Sequence, residues 1–462
     1  MKKSNIFLWF LGAAFLFTAG SCKKTFMDPN LNVNPNNPVV ASDASLLTPS
    51  IASTAYNTGG TLSWYPSMWD QQTVGADRQF ANFTAFNTST ADFDAIWTNI
   101  YQNSLIDEVI LNQQSVKQGN VYYAGIAKVL IAYQMGLTTD LWGDVPFSNA
   151  FKGQAGVINP TFDKQQDIYT SLFKLLDSAK TELSATNGGP LKPSGDDISS
   201  YAGNVAQWLK LANVLTARLS IHLVKVDPSY AQKAIIAINA GGFASNADNF
   251  SLNFGTDQNT NNPNYQLNSQ RGGYLSYGGL YLPHALYSMK DPRLPVYISG
   301  YNDTTASASD VGNYFGSQNN PAAPVVMVTL AEQNFILAEA YNRTGNAAAA
   351  QTAYVAGITA SMNQFGIDTT KAAKTYILKN GTLSASPAMA LQAIMTQKYY
   401  ALYLNPEAYT DWRRTGYPVL TTPVSGTAIP RRFLYPLQEY SYNKSNVPAG
   451  INLTTPVYWD KN

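Results

Sequence analysis

Ionisable side chains are scarce in this chain. Of its 462 residues, 13% are Asp, Glu, Lys or Arg, about half of the ~25% usual in soluble domains. Net charge is +1, and outside the extreme N-terminus no Lys/Arg cluster of the polyanion-binding kind occurs, which argues against nucleic acid as a partner. There are two His and one Cys. A single Cys excludes an intrachain disulfide. So little nucleophilic or metal-ligating material remains that no GxSxG, HExxH or Cys/His arrangement exists, and neither a metal nor a cofactor is expected. Acidic residues are sparse and sit in turn contexts, whereas a glycosidase needs two carboxylates facing each other across the bond. A surface glycoside hydrolase is therefore the weaker alternative, and the chain is expected not to be an enzyme. Long apolar runs are missing too: beyond the first 21 residues none is long enough to span a bilayer.

Aromatic rings and neutral polar groups are what the chain has instead. Aromatic content is 12%, with 29 Tyr, and the surface must be made polar by Asn, Gln, Ser, Thr and Tyr. Ring faces beside neutral polar groups suit an uncharged, hydroxyl-rich ligand such as an oligosaccharide, or a peptide. Filling of helix–helix seams accounts for most of the tyrosines.

The first 21 residues, MKKSNIFLWFLGAAFLFTAGS, read as a secretory signal peptide: Lys2 and Lys3 precede an apolar core from Ile6 to Ala19. Ala19, Gly20 and Ser21 then lead directly to Cys22, the chain's one thiol. This resembles the lipobox of bacterial lipoproteins, which implies lipidation of Cys22 and a membrane held through a lipid anchor, stable when several acyl chains share the residue. Residues 22–42 continue as an Asn/Pro-rich tether, and the body is expected to be soluble and held at the membrane surface.

The body, residues 43–462, is organised around AEQNFILAEAYNRTGNAAAAQTAYVAGITASM, residues 331–362. Two helical runs flank Thr344-Gly345-Asn346. Phe335, Ala338 and Tyr341 share a face of the first, and Ala350, Tyr354 and Gly357 share a face of the second. Small residues beside large aromatics across a turn resemble a tetratricopeptide repeat, which must stack on neighbours to bury its apolar face. Helical spacing recurs at 43–58, 92–117, 121–139, 163–185, 204–224, 228–240 and 386–404. Asp92 is placed to cap the second of these, and Asp163 with Gln166 forms a capping-box pattern. The fold class is therefore mainly α: a tetratricopeptide-like array of helical hairpins with long irregular loop insertions and minor β.

Several polar residues read as structural. Asp140 and Asp144 in TTDLWGDVPF suit turn hydrogen bonds. Arg218 and His222, four apart beside an apolar helical stripe, read as satisfied core groups. Asp411, Arg413 and Arg414 beside Trp412 read as ion pairs and ring stacking. Two irregular segments remain. Residues 59–87 crowd Trp64, Tyr65 and Trp69 ahead of Asp77 and Arg78. Within the Asn-, Gly- and Tyr-rich insertion 241–327, Tyr274 and Tyr277 follow paired glycines. An irregular insertion of this length inside a helical array is functional or disordered, and this one is too aromatic for disorder. The candidate ligand-binding residues are Trp64, Trp69, Asp77, Arg78, Tyr274 and Tyr277, one site if the body brings the two segments together.

Several segments, in a consistent order from end to end, resemble the SusD/RagB family of outer-membrane nutrient-binding lipoproteins. They are Cys22 after its signal, NVNPNNP, YPSMWDQQ, TTDLWGDVPFSNAF, QWLKLANVLTARLSIHL, AEQNFILAEAYNRTGN, IMTQKYYALYLNPEAYTDWRRTGYP and IPRRFLYPLQE. The resemblance implies tetratricopeptide-like helix pairs with the ligand face on loops. It implies a SusC-like TonB-dependent outer-membrane transporter as partner, and a glycan or peptide as ligand. After Cys22 the chain carries Lys23-Lys24, where some relatives bear acidic residues that favour export to the cell surface.

Overall fold

Residues 331–362 fold as the two helices their spacing predicts. The computed structural model describes residues 41–276, 281–298, 319–371 and 373–462, and the unit Asp43–Asn462 carries the architecture. Helix Leu330–Arg343 begins where the Thr329 hydroxyl accepts the Glu332 amide, and helix Ala347–Gln364 where the Asn346 side chain accepts the Ala349 amide. Such caps satisfy amides that have no partner within the helix and contribute about 1 kcal/mol each. Between the helices the Phe335 ring lies on Gly357. A Cβ at 357 would sit 2.9 Å from two of the ring carbons, so only a bare α-carbon admits the ring at this distance. Tyr354 meets Phe335 edge-on, with centroids 6.2 Å apart, and Ala338, Ile358, Met362, Ile394 and Met395 complete this core. Tyr341 leaves the expected face. Three-residue steps advance about 300° rather than a full turn, so by Tyr341 the stripe has drifted about 120° from Phe335. Tyr341 packs instead on a second core built from Ala217, Ile221, Ala234 and Ile238.

The hairpin logic repeats along the chain. Val121–Trp142 packs against Gln165–Leu183, and Val205–His222 against Tyr230–Asn239. Leu330–Arg343 contacts the latter pair on one side, and its own partner and Pro387–Ala401 on the other. Val121–Trp142 is buried nearly all round, as expected of a helix with apolar residues on every face. The run at 92–117 is not one continuous α-helix. It consists of Asp94–Ile100, a π-helical turn Tyr101–Leu105, and Ile106–Gln118. The capping expectation at 163–185 is also revised. Asp163 turns back to accept the Phe147 and Ser148 amides, while Asp144 accepts the Gln165 amide at 2.9 Å and pairs with Lys164 at 2.8 Å. The cap for helix Gln165–Leu183 thus comes from a residue 21 positions upstream, which local sequence reading does not reach.

Among the described residues the strands form three antiparallel pairs: Val74–Gly75 with Leu275–Ser276, Val145–Pro146 with Phe162–Asp163, and Phe250–Leu252 with Val325–Val328. The 241–327 stretch also contains helices Pro263–Gln270, Tyr281–Met289 and Leu294–Tyr297, more regular structure than its composition suggests.

A sizeable share of the few charges lies in the interior. His222 lies between carboxylates, with Nε2 2.6 Å from Glu407 Oε1 and Nδ1 3.3 Å from Asp140 Oδ2. Asp140 accepts from the Tyr169 hydroxyl at 2.5 Å and the Trp459 indole at 2.7 Å, so its role is tertiary rather than that of a turn residue. Arg218 holds Glu332 at 2.6 Å. Arg414 grips both oxygens of Glu339, at 2.6 and 2.5 Å, and Asp411 pairs with Lys398 at 2.7 Å. Arg413 lies over the Tyr409 and Trp459 rings, 4.3 and 4.8 Å from their centroids. The structural reading of Arg218, His222 and the 411–414 cluster holds. Burial disfavours the charged imidazole of His222, but Glu407 and Asp140 outweigh it and raise its pKa to about 9. Burial likewise works against the Glu339 carboxylate, while Arg414 and Arg343 bring it down to about 2. Desolvated pairs of this kind fix geometry more than they add net stability.

Candidate functional site

The strand pair Val74–Gly75 and Leu275–Ser276 is what joins the two irregular aromatic segments. Val74 lies opposite Ser276 and Gly75 opposite Leu275, and the Ala76 amide donates to the Tyr274 carbonyl at 2.9 Å. Gly75 is required at this junction: a Cβ there would lie 1.8 Å from the Phe80 carbonyl oxygen. Helix Arg78–Thr84 can therefore fold directly over the strand. The Gly75 amide donates to the Thr84 hydroxyl at 2.7 Å, and the Asp77 side chain accepts the Arg78 amide. Arg78 itself takes φ 48°, a left-handed conformation uncommon outside glycine.

Phe80, buried beneath this turn, is the ring around which the patch forms. Trp64 and Tyr274 flank it with centroids 6.2 and 5.7 Å away. The Trp64 indole donates to Asn264 Oδ1 at 2.7 Å, which ties helix Thr61–Trp69 to helix Pro263–Gln270. The Arg78 and Arg271 guanidinium carbons lie 5.8 and 5.9 Å from the Tyr274 centroid, within cation–π range. The Asp77 and Arg78 side chains are 61% and 71% exposed and only loosely paired, at 3.7 Å, so both polar heads face solvent beside the rings. Tyr65 stacks on Phe83 at 3.8 Å underneath. Burial, with Asp92 adding and Arg271 opposing, pushes its hydroxyl up to about 12. The arrangement offers ring surface together with one carboxylate and two guanidiniums. No group of three or more His, Cys, Asp or Glu suited to a metal ion occurs among the described residues.

A family model described as starch-binding and associating with the outer membrane matches residues 35–436. The chain belongs to the SusD-like family. Solved structures similar to it include a chitin-binding protein, at 26% identity and TM-score 0.78, covering 91% of this chain and all of the other. A SusD/RagB family protein from Bacteroides thetaiotaomicron shares 24% identity at TM-score 0.76, over 91% of this chain and 99% of the other. A chitin-binding SusD homologue from Flavobacterium johnsoniae shares 22% at TM-score 0.74, over 90% and 99%. No curated protein matched the sequence. The SusD-like assignment agrees with the mainly α, tetratricopeptide-like fold and with a family setting at the outer membrane. Among the described residues no helix is long and apolar enough to cross a membrane.

Of the residues singled out by sequence in this SusD-like chain, Trp64 and Tyr274 converge on Phe80, Arg78 lies over the Tyr274 ring and Asp77 sits beside Arg78. Trp69 must be removed from the set. It has no exposed surface, its indole N–H is taken by the Phe83 carbonyl at 3.0 Å, and its ring is enclosed by Phe83, Tyr409 and Phe433. It is a core residue. Tyr277 and Cys22 lie outside the described residues. Arg271 was missed. Its signal was its place three residues before Tyr274 in NSQRGGY, where a turn closed by the Tyr274 amide on the Arg271 carbonyl, at 3.2 Å, puts the side chain beside the ring.

Proposed function

We propose that this chain is a non-catalytic lipoprotein of the outer membrane, anchored through Cys22, that captures a neutral oligosaccharide and delivers it to a SusC-like TonB-dependent transporter. The observation that carries the reading is the corner where the half-buried Trp64 and Tyr274 rings meet the exposed Arg78, Arg271 and Asp77 across the Val74–Gly75/Leu275–Ser276 pair. Ring surface takes the C–H face of a sugar, and the guanidiniums and carboxylate bond its hydroxyls. Membership of a starch-binding family and likeness to chitin-binding structures support a glycan as the ligand class.

The test is a binding screen of the purified full chain against soluble glycans and peptides, followed by Trp64→Ala and Arg78→Ala. Each substitution is expected to weaken glycan binding by about 1–3 kcal/mol, the scale of a buried aromatic or charge-assisted contact. Melting temperature serves as the control, with Trp64→Phe retaining the ring where Trp64→Ala unfolds. Unchanged glycan affinity in both variants overturns the site, peptide-only binding overturns the ligand class, and release of reducing sugar overturns the non-catalytic assignment.

A further inference from the structure

We infer that the chain carries a second carbohydrate-binding cleft, on the other side of helix Pro263–Gln270 from the Trp64–Tyr274 corner. The inference rests on the neutral-glycan reading above. A residue of each place bonds that helix. Trp64 donates to Asn264, and the Tyr56 hydroxyl donates to Gln266 Oε1 at 3.1 Å. Residues two apart on an α-helix point about 200° apart, so the contacts engage opposite faces.

The cleft has a volume of about 690 Å³ and opens between helix Asp43–Gly59, the π-helical turn Tyr101–Leu105 and the loop after strand Phe250–Leu252. That volume falls within the range of small-molecule sites, about 300–1,000 Å³. Its lining contains no charged side chain. The polar groups are the amides of Asn57, Asn99, Asn103, Asn253 and Asn259 and the hydroxyls of Ser53 and Thr260, each bearing donors and acceptors together. Tyr56, 44% exposed, and the half-buried Phe254 supply ring surface. Amides that both donate and accept, set beside rings with no fixed charge, match a sugar, whose hydroxyls do both and whose C–H faces are apolar. An ionic ligand would find no counter-charge here.

Two further features mark the cleft. Asn57 is 4% exposed, and its Nδ2 has no acceptor among the described residues. A buried donor without a partner is uncommon and calls for an explanation. Asn103 belongs to the π-helical turn, and π-bulges occur frequently at functional sites. Asn103 Nδ2 bonds Asn99 Oδ1, four residues back, at 3.0 Å, making a linked amide pair on the cleft wall.

The experiment is titration of the full chain with chitotetraose and, separately, maltotetraose, followed by calorimetry and native mass spectrometry. Wild type is expected to bind two molecules of one tetraose. Tyr56→Ala and the double variant Asn99→Ala/Asn103→Ala change residues at the cleft's wall and mouth. Each is expected to bind one, with the remaining Kd unchanged within twofold. Trp64→Ala/Arg78→Ala is expected to lose the other. A stoichiometry of one that survives the cleft substitutions and disappears with the Trp64/Arg78 variant overturns this inference and leaves the proposed function standing. Absence of binding to either tetraose overturns this inference, while the glycan and peptide screen decides the proposed function.

Discussion

Glu108 is a carboxyl group held where a carboxylate is costly. It is fully buried, accepts from Thr54 at 2.9 Å and Ser104 at 3.1 Å through one oxygen, and leaves the other without a partner. Burial raises its pKa to about 8, with the two hydroxyls opposing. The folded form therefore keeps its proton over a range in which the unfolded form, titrating near 4.5, has lost it, and stability falls as pH rises from 4.5 through 8. Glu108→Gln should match wild type at pH 4 and exceed it by about 1–3 kcal/mol at pH 9, read by denaturant melts at both. The two tryptophans of WYPSMW show what residue-level reading reached. That aromatics in this stretch matter was legible from composition. Which one faces outward was not, because Pro66 and the absence of a clean period hid helix Thr61–Trp69. Once helical, residues five apart point about 140° apart, so Trp64 reaches Phe80 and Asn264 while Trp69 turns into the core.

At the scale of elements, the contact between Phe335 and Gly357 decides how closely helices Leu330–Arg343 and Ala347–Gln364 approach. Gly357→Ala should gain about 1 kcal/mol in helix propensity and lose about 1–3 kcal/mol by overpacking, for a net destabilisation. Combined with Phe335→Leu, the alanine should cost less than it does alone, and a double-mutant cycle on urea midpoints measures that coupling. Absence of coupling would show that the ring accommodates a methyl without strain. Most helix positions were legible because apolar spacing is a local signal. The π-helical turn Tyr101–Leu105 and the capping of Gln165 by Asp144 were not, because one depends on a single extra residue and the other on a partner far away in sequence. The pairing of Val74–Gly75 with Leu275–Ser276 belongs with these. Two-residue strands carry no period, and the register that assembles the aromatic corner is written in Gly75 and its neighbours rather than in any pattern.

At the scale of the whole molecule, the interior charges set the pH response. His222, held near pKa 9 between Glu407 and Asp140 with Tyr169 and Trp459 against them, is protonated in the fold and neutral in the unfolded chain above about 6.5. Its contribution is complete below that pH and is lost as pH rises through 9. Melting temperature should accordingly decline between pH 6.5 and 9.5, and His222→Gln, less stable at pH 6.5, should show a shallower decline. An equally steep decline in the variant would assign the effect to other groups.

That cluster has a consequence for how the molecule comes apart. A solenoid of repeats gives way piecemeal, since each unit leans only on the next. Here Trp459 reaches Asp140, 319 positions away, and Glu407 reaches His222, 185 away. Opening any one contributor strands an ionised group in a dry interior, which penalises every half-opened state. A protease or a chemical denaturant should therefore meet a single all-or-none transition of the described body, with no trimmed fragment left standing.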